Sequence, residues 1–307
     1  MKRILLLLAV LALTAAACGG SSSTAANVDA EEITVGDVEG MFYEIDGEFT
    51  DEQFAGYLST MIQWTAIEHR AAEELSFEAS EEAIAEEIDG ILAETGYAGD
   101  LDTFLSEQNI SETGLERYAT QFLIEDAVAA DLGESVEKPT LDDAQAEIDA
   151  SPMDYAEVCA SHILVETEEE ADAVGERLGA GEDFALIAQE VSIDTGSGAA
   201  GGSLGCASPA GYVPEFAEAT MAAPIGEVTE PVESEFGFHF IVVEDRTIAT
   251  AAEVLFLMEE RAVFDAVNDW LFEAVTTADV TVEEDYGTWS LEPSPHVEPP
   301  AAAEDAG

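Results

Sequence analysis

Apolar residues recur at intervals of three and four along the first part of the chain, a spacing that predicts amphipathic helices. The first helix is expected to begin after Thr50, which has capping-box spacing to Gln53. Its apolar face consists of Phe54, Tyr57, Leu58, Met61, Trp64 and Ile67. Further helices are predicted from about 80 to 96, from about 111 to 132 and from 140 to 150. A short strand and turn within 32–46 are expected to precede all of these helices. This part of the chain is therefore predicted to be mostly helical.

The pattern changes between about 155 and 246. An apolar run, "EVCASHILVE", predicts a buried strand, and two helical patterns and a glycine-rich loop, "DTGSGAAGGSLG", follow it. A third helix is expected after Pro214, and the runs "GEVTEPV" and "GFHFIVV" predict two closing strands. One sheet covered by helices is the natural packing for this order, so the fold class is predicted to be α+β.

A helical pattern returns over 251–277, and its apolar stripe has no partner within the sheet segment. The stripe consists of Val254, Leu257, Met258, Val267, Trp270 and Leu271. We expect this helix to pack onto the N-terminal helices, which would complete one domain across an inserted one. The Pro-rich acidic tail from about 291 is predicted to be disordered.

The N-terminus has the features of an export signal. Met1-Lys2-Arg3 is a short basic region, Ile4 to Ala17 is apolar, and Cys18 precedes a flexible "GGSSST" tether. The apolar run is shorter than the roughly 20 residues that span a bilayer. The segment resembles a bacterial lipoprotein signal, which implies lipidation of Cys18 and anchoring to the membrane on its extracytoplasmic side. An ordinary cleaved signal is the alternative.

The charge balance is strongly acidic, with 68 Asp and Glu against 8 Lys and Arg and a formal net charge of −60. Nucleic-acid sites are built from clustered Lys and Arg, so nucleic acid is excluded as a partner. The acids alternate with apolar residues at helical spacing, which indicates the solvated surface of a folded protein. A saline environment would screen their repulsion; an acidic proteome without a salt demand is the alternative. Neither a metal nor another cofactor is implied, because no ligand cluster with metal spacing occurs.

Five separated motifs resemble the parvulin-type (PpiC-like) peptidyl-prolyl cis/trans isomerases in order and spacing. They are "ASHILV", "GEDFALIAQEVSID", "GGSLG", "VPEF" and "GEVTEPVESEFGFHFIVV". The resemblance covers about a third of the chain and implies a four-stranded sheet with covering helices. The flanking segments resemble, more loosely, the PrsA- and SurA-type extracytoplasmic foldases, whose mostly α-helical chaperone region is interrupted by such a domain.

The resemblance also implies a site. Its expected catalytic residues are His162, Asp194, Ser234 and His239, and its expected proline-binding residues are Leu204, Tyr212 and Phe216. Without the resemblance, a single strand histidine is more often a core residue, and Leu204 and Phe216 would belong to the core of any fold.

The number of cysteines is consistent with an exported protein. If Cys18 is lipidated, Cys159 and Cys206 remain, and we predict a disulfide between them because both flank the expected site. Two buried free thiols are the alternative.

The predicted function is a peptidyl-prolyl isomerase and foldase that acts outside the cytoplasmic membrane on unfolded exported polypeptides containing X-Pro bonds. The expected organisation is a signal peptide at 1–17, a tether at 18–26, an N-terminal helical chaperone part at 27–152, a parvulin domain at 153–248, a C-terminal part at 249–290 that completes the chaperone domain, and a disordered acidic tail at 291–307. The rival hypothesis is a weakly active or inactive parvulin-fold holdase. A homodimer is left open, and a solute-binding lipoprotein is disfavoured because two similar α/β lobes are absent from the pattern.

Overall fold

The computed structural model of the chain describes residues 23–43, 49–97 and 99–300. Their contacts form two units: unit 1 comprises the described residues up to Val136 and from Ala262 onward, and unit 2 comprises Glu137–Arg261. The predicted signal peptide at 1–17 and the predicted lipidation site Cys18 lie outside the described residues. Among the described helices, none combines the length and the apolar character that crossing a membrane requires.

The described residues contain helices and strands in both units. The helices are α1 (Val35–Glu39), α2 (Asp51–Leu75), α3 (Glu81–Glu94), α4 (Leu101–Gln108), α5 (Glu112–Ser135), α6 (Leu141–Ala150), α7 (Glu168–Gly179), α8 (Phe184–Val191), α9 (Thr195–Gly198), α10 (Pro214–Ala222) and α11 (Ala251–Thr277). The strands are β1 (Thr24–Val28), β2 (Glu31–Thr34), β3 (Ala156–Val165), β4 (Ser203–Ala207), β5 (Val232–Ser234), β6 (Gly237–Ile248), β7 (Val280–Val282), β8 (Thr288–Ser290) and β9 (His296–Glu298). The predicted α+β class is confirmed.

Unit 1 contains a small sheet as well as helices. Its strand order is β2-β1-β7, and its apolar side packs on α2, where Leu58 and Ile62 are fully buried. The predicted tether at 18–26 is wrong from Thr24 onward, because Ala25 and Ala26 are buried in β1. The helix α4 is also absent from the sequence-based prediction, although Asp100 caps it.

The apolar stripe of α11 is divided between the two units. In unit 1, Val267 and Trp270 pack with Ile124 of α5. In unit 2, Val254 packs with Ile148 of α6. Unit 2 is therefore wider than the predicted 153–248, since α6 and the first turns of α11 belong to it.

One predicted member of this stripe is not buried. Leu257 is 54% exposed, so it contributes no core packing in the structure.

The predicted disorder of the tail from 291 is wrong as far as residue 300. Strands β8 and β9 pair, and Val297 is buried in the core of unit 1. The backbone N–H of Val297 donates to the Ser59 hydroxyl at 2.8 Å, and the Gln63 amide donates to the Pro295 carbonyl. The burial of Val297 and these two hydrogen bonds hold the segment in place, although its polar composition is typical of a disordered tail.

Unit 2 contains the predicted four-stranded sheet, in the antiparallel order β4-β3-β6-β5. Helices α7 and α8 cover one face and α10 covers the other. The run "GEVTEPV" is a strand only from Val232, since Pro231 has no N–H to donate to a neighbouring strand. The central strands β3 and β6 place the site residues described next.

Candidate active site

Strand alternation brings His162 and His239 to the same face of the sheet. In β3, the even-numbered residues Val158 and Ala160 face α10, and His162 continues that series. His162 lies opposite Ile241 of β6, and His239 lies opposite Leu164 of β3, so the histidines are diagonal neighbours. Both rings are buried, and the two Nδ1 atoms are 3.2 Å apart.

The histidine pair lies inside a longer chain of hydrogen bonds. At one end, Asp194 Oδ2 is 2.8 Å from His162 Nε2. At the other end, the Ser234 hydroxyl is 2.7 Å from His239 Nε2. The structure thus brings together the four residues expected from the sequence. It adds Ser197, whose Oγ lies 3.0 Å from His162 Nε2 and 2.6 Å from Asp194 Oδ2.

Sequence reasoning missed Ser197, although its spacing from Asp194 is informative. Asp194 is the N-cap of the short helix α9 and accepts hydrogen bonds from the backbone N–H groups of Gly196 and Ser197. Because of this cap, Ser197, which follows Asp194 by three residues, lies beside the Asp194 carboxylate. An Asp followed three residues later by Ser in a glycine-rich loop is the signal that could have found it.

The charges of this network are set by hydrogen bonding and burial. The Ser197 hydroxyl and then His162 lower the pKa of Asp194 to about 2, so its carboxylate is ionised at neutral pH. Burial, followed by the repulsion of His162, lowers the pKa of His239 to about 4, although Asp194 and Glu215 act in the opposite direction. His239 is therefore neutral at neutral pH.

An apolar cluster lies beside the two imidazoles. The ring of Phe216 is 2% exposed and lies 5.6 Å from His162 and 5.2 Å from His239, centroid to centroid. Leu204 and Tyr212 are partly exposed and pack against the same cluster, with the Tyr212 ring 4.9 Å from Phe216. Phe216 is thus the buried member of this cluster, while Leu204 and Tyr212 are its partly accessible members. Met221 of α10 also joins this cluster.

The glycine-rich loop reaches the site through a close backbone approach. The N–H of His162 donates to the carbonyl of Gly202 at 2.8 Å. Gly202 has φ +89°, and a Cβ at this position would collide with the carbonyl oxygen of His162. Only glycine satisfies both the conformation and the contact.

Cys159 and Cys206 lie opposite each other on β3 and β4, and a disulfide joins them. Because Leu204 precedes Cys206 by two residues on the same short edge strand, the bond ties the strand that carries Leu204 to the central strand β3.

The positive charges of unit 2 are largely engaged. Arg177 pairs with Glu182 and Glu190, and Arg261 pairs with Glu147. Arg246 donates to three backbone carbonyls at the end of α10. In the described parts of the chain, no group of three or more potential metal ligands was found.

Comparison with known proteins identifies this segment. Residues 161–245 match the family described as "Rotamase: PPIC-type PPIASE domain". A foldase protein PrsA of Halalkalibacterium halodurans is 32% identical over 300 residues, which cover 94% of this chain and 86% of that protein. A foldase protein PrsA of Oceanobacillus iheyensis is 47% identical over 89 residues, 29% of this chain and 30% of that protein.

Among solved structures, the peptidylprolyl isomerase PrsA of Bacillus cereus aligns with a TM-score of 0.41 and 21% identity, covering 83% of this chain and 92% of that one. The sequence relationship extends over nearly the whole chain, and the matched domain contains the histidine pair and its hydrogen-bond partners. This chain therefore belongs to the PrsA foldase family and is a peptidyl-prolyl cis/trans isomerase.

Proposed function

We propose that the isomerase centre consists of the histidine pair His162 and His239, supported by Asp194 and Ser234. The observation that carries this proposal is the buried contact between the two Nδ1 atoms, with the ring of Phe216 packed edge-to-face against both imidazoles. It places a polar but water-poor cluster against an apolar pocket. The proline ring of the substrate binds in that pocket, which Leu204, Tyr212 and Phe216 form.

This arrangement suits a reaction in which no bond is broken. Rotation about a peptide bond faces a barrier of about 18–20 kcal/mol because twisting removes amide resonance. The twisted amide is less dipolar than the planar one, so a pocket with little water favours it over the ground state. A neutral His239 adds hydrogen-bonding groups there without adding a charge. Arg177 and Arg246 are already engaged by a carboxylate and by backbone carbonyls, so they form no phosphate-binding cluster. The isomerase therefore does not depend on a phosphate group in its substrate.

The remaining assignments concern the rest of the chain. We propose that unit 1 is the chaperone part and that it holds unfolded exported polypeptides while their X-Pro bonds are isomerised. The foldase names of the relatives support this role. We also propose that Cys18 is lipidated and anchors the protein to the outer side of the cytoplasmic membrane. The apolar run that ends at Ala17 supports the anchor.

The site assignment is tested by His162→Ala and His239→Ala. Each should lower isomerase kcat/KM on Xaa-Pro peptides by at least about tenfold, while the far-UV circular dichroism of the full chain stays that of the wild type. Ser192→Ala, in the loop before Asp194, is the matched control and should retain activity. Unchanged turnover in both correctly folded histidine variants would refute the assignment.

The same assay addresses the holdase hypothesis. A holdase would suppress aggregation of an unfolded protein equally well in wild type and in both histidine variants, and it would not accelerate isomerisation in any of them. An active foldase loses isomerisation in the variants and keeps the suppression of aggregation.

A further inference from the structure

Ser197 lies at the end of the site's hydrogen-bond chain and has no role in the function proposed so far. Its side chain is 7% exposed, and its hydroxyl contacts both Asp194 and His162. Its backbone is also tied to the site. The carbonyl of Ser197 accepts from Gly202 N–H, and the carbonyl of Gly202 accepts from the N–H of His162. The serine is therefore held next to His162 from both its side chain and its main chain.

The hydrogen-bond directions follow from the ionised carboxylate. Asp194 can only accept, so the single hydroxyl proton of Ser197 points to Asp194 Oδ2, 2.6 Å away. The lone pairs of Ser197 then face His162 Nε2 at 3.0 Å, and Asp194 Oδ2 faces the same nitrogen at 2.8 Å. With two acceptors around it, Nε2 must be the protonated nitrogen of His162.

The position of the proton on His162 also determines the position of the proton on His239. With one proton on each ring, Nδ1 of His162 carries no hydrogen, so Nδ1 of His239 donates across the 3.2 Å contact. Nε2 of His239 then has only a lone pair, and the Ser234 hydroxyl donates to it at 2.7 Å. In this arrangement each of the five side chains of the network has a hydrogen-bond partner.

We propose that Ser197 is a positioning residue of the isomerase, which together with Asp194 fixes the proton of His162 on Nε2 and thereby the proton of His239 on Nδ1. The role rests on the histidine pair being the isomerase centre. Asp194 alone is a weaker orienter, because its carboxylate is about one-third exposed and Ser197 is the buried donor that holds Oδ2 against the ring. Ser197 acts through His162 and does not contact the substrate.

Nitrogen NMR of the full chain labelled with ¹⁵N-histidine tests this directly, since the sequence has only four histidines. In the wild type at pH 7, His162 should be protonated on Nε2 and His239 on Nδ1. In Ser197→Ala, both rings should show averaged tautomers, and kcat/KM should fall about tenfold, as for the loss of a hydrogen bond to a charged group. The acid limb of the kcat/KM profile should move to higher pH, because the carboxylate loses a donor.

Two further variants separate positioning from a structural effect. Ser197→Thr keeps the hydroxyl and should restore the wild-type tautomers and most of the activity. Ser192→Ala removes a nearby hydroxyl that accepts only from Leu164 N–H among its hydrogen bonds described here, and it should change neither reading.

Several results would overturn the inference. They are wild-type tautomers in Ser197→Ala, a His239 protonated on Nε2 in the wild type, or altered tautomers in Ser197→Ala without loss of turnover. Failure of the proposed function has a different signature: His162→Ala would then keep full activity, whatever the tautomers show.

Discussion

Acidification from neutral pH should destabilise unit 2 through His239. The buried ring of His239 is surrounded by Phe216, His162 and the Ser234 hydroxyl, with the charges of Asp194 and Glu215 nearby. Burial is the largest effect on this group, and it lowers the pKa from 6.5 to about 4. Folding therefore keeps His239 neutral over a pH range in which the unfolded chain would protonate it.

The size of the effect follows from this difference in pKa. Below pH 6.5 the unfolded chain binds a proton at His239 that the folded chain does not bind, so the free energy of unfolding falls as the pH falls. The loss continues until the folded pKa, near pH 4, and above pH 6.5 the contribution is fully present. One pKa unit corresponds to about 1.4 kcal/mol, so the loss between pH 7 and pH 5 is about 2 kcal/mol.

Urea unfolding at these two pH values measures this loss. The NMR signal of the His162 ring reports the unfolding of unit 2. Tryptophan fluorescence would report unit 1 instead, because all three tryptophans lie in that unit. His239→Asn removes the titrating group, so its free energy of unfolding should change by about 2 kcal/mol less than that of the wild type between pH 7 and pH 5. His296→Asn, which removes a histidine of unit 1, is the control and should retain the wild-type loss. Parallel pH dependence of wild type and His239→Asn would refute the reasoning.

Two further predictions concern stability. The double variant Cys159→Ser and Cys206→Ser should unfold at lower urea concentration, with a loss of up to about 4 kcal/mol for opening a loop of 47 residues; an unchanged midpoint would contradict this. Ser59→Ala leaves the buried N–H of Val297 without its acceptor and should cost unit 1 about 1–3 kcal/mol, with faster amide exchange in β9. Thr60→Ala, whose hydroxyl bonds only within its own helix among the hydrogen bonds described here, is the control, and equal exchange in both variants would contradict the role of Ser59.

Local patterns predicted the long helices well because their determinants are local. The capping box of Thr50 and Gln53 forms as expected, and α2 begins at the next residue. The predicted helix over 251–277 has these bounds in the structure. Helix spacing and caps lie within a few residues of each other in the sequence, so no knowledge of the tertiary fold is needed.

Elements that depend on distant partners were harder to predict. Strand β1 consists of "TAANV", which has little strand character, and it forms because β2 and β7 pair with its two edges. The partner β7 lies more than 250 residues further along the chain. A five-residue pattern carries no information about such a pairing, so the sequence pattern does not distinguish β1 from the tether.

In the site, too, some features could be predicted from the sequence and others depend on contacts between distant parts of the chain. The histidines, Asp194 and Ser234 were expected from a resemblance, and strand alternation alone would have placed His162 and His239 on one face once the register of β3 and β6 was known. The register itself is set by long-range pairing. Ser197 was missed because its contact with His162 depends on the fold of the glycine-rich loop.

The acidic surface favours protonated imidazoles, whereas His239 of the site is neutral at neutral pH, and burial explains the difference. A chain with a formal charge of −60 should hold nearby imidazoles in their protonated form, and Asp194 and Glu215 do raise the pKa of His239. Burial and the neighbouring His162 have the larger effect, so the pKa of His239 falls despite the surrounding carboxylates. Mobile ions screen exposed charges strongly and buried groups weakly. Salt should therefore act mainly on the repulsion that opposes folding, while the protonation of His239 in the folded isomerase is set by its protein surroundings.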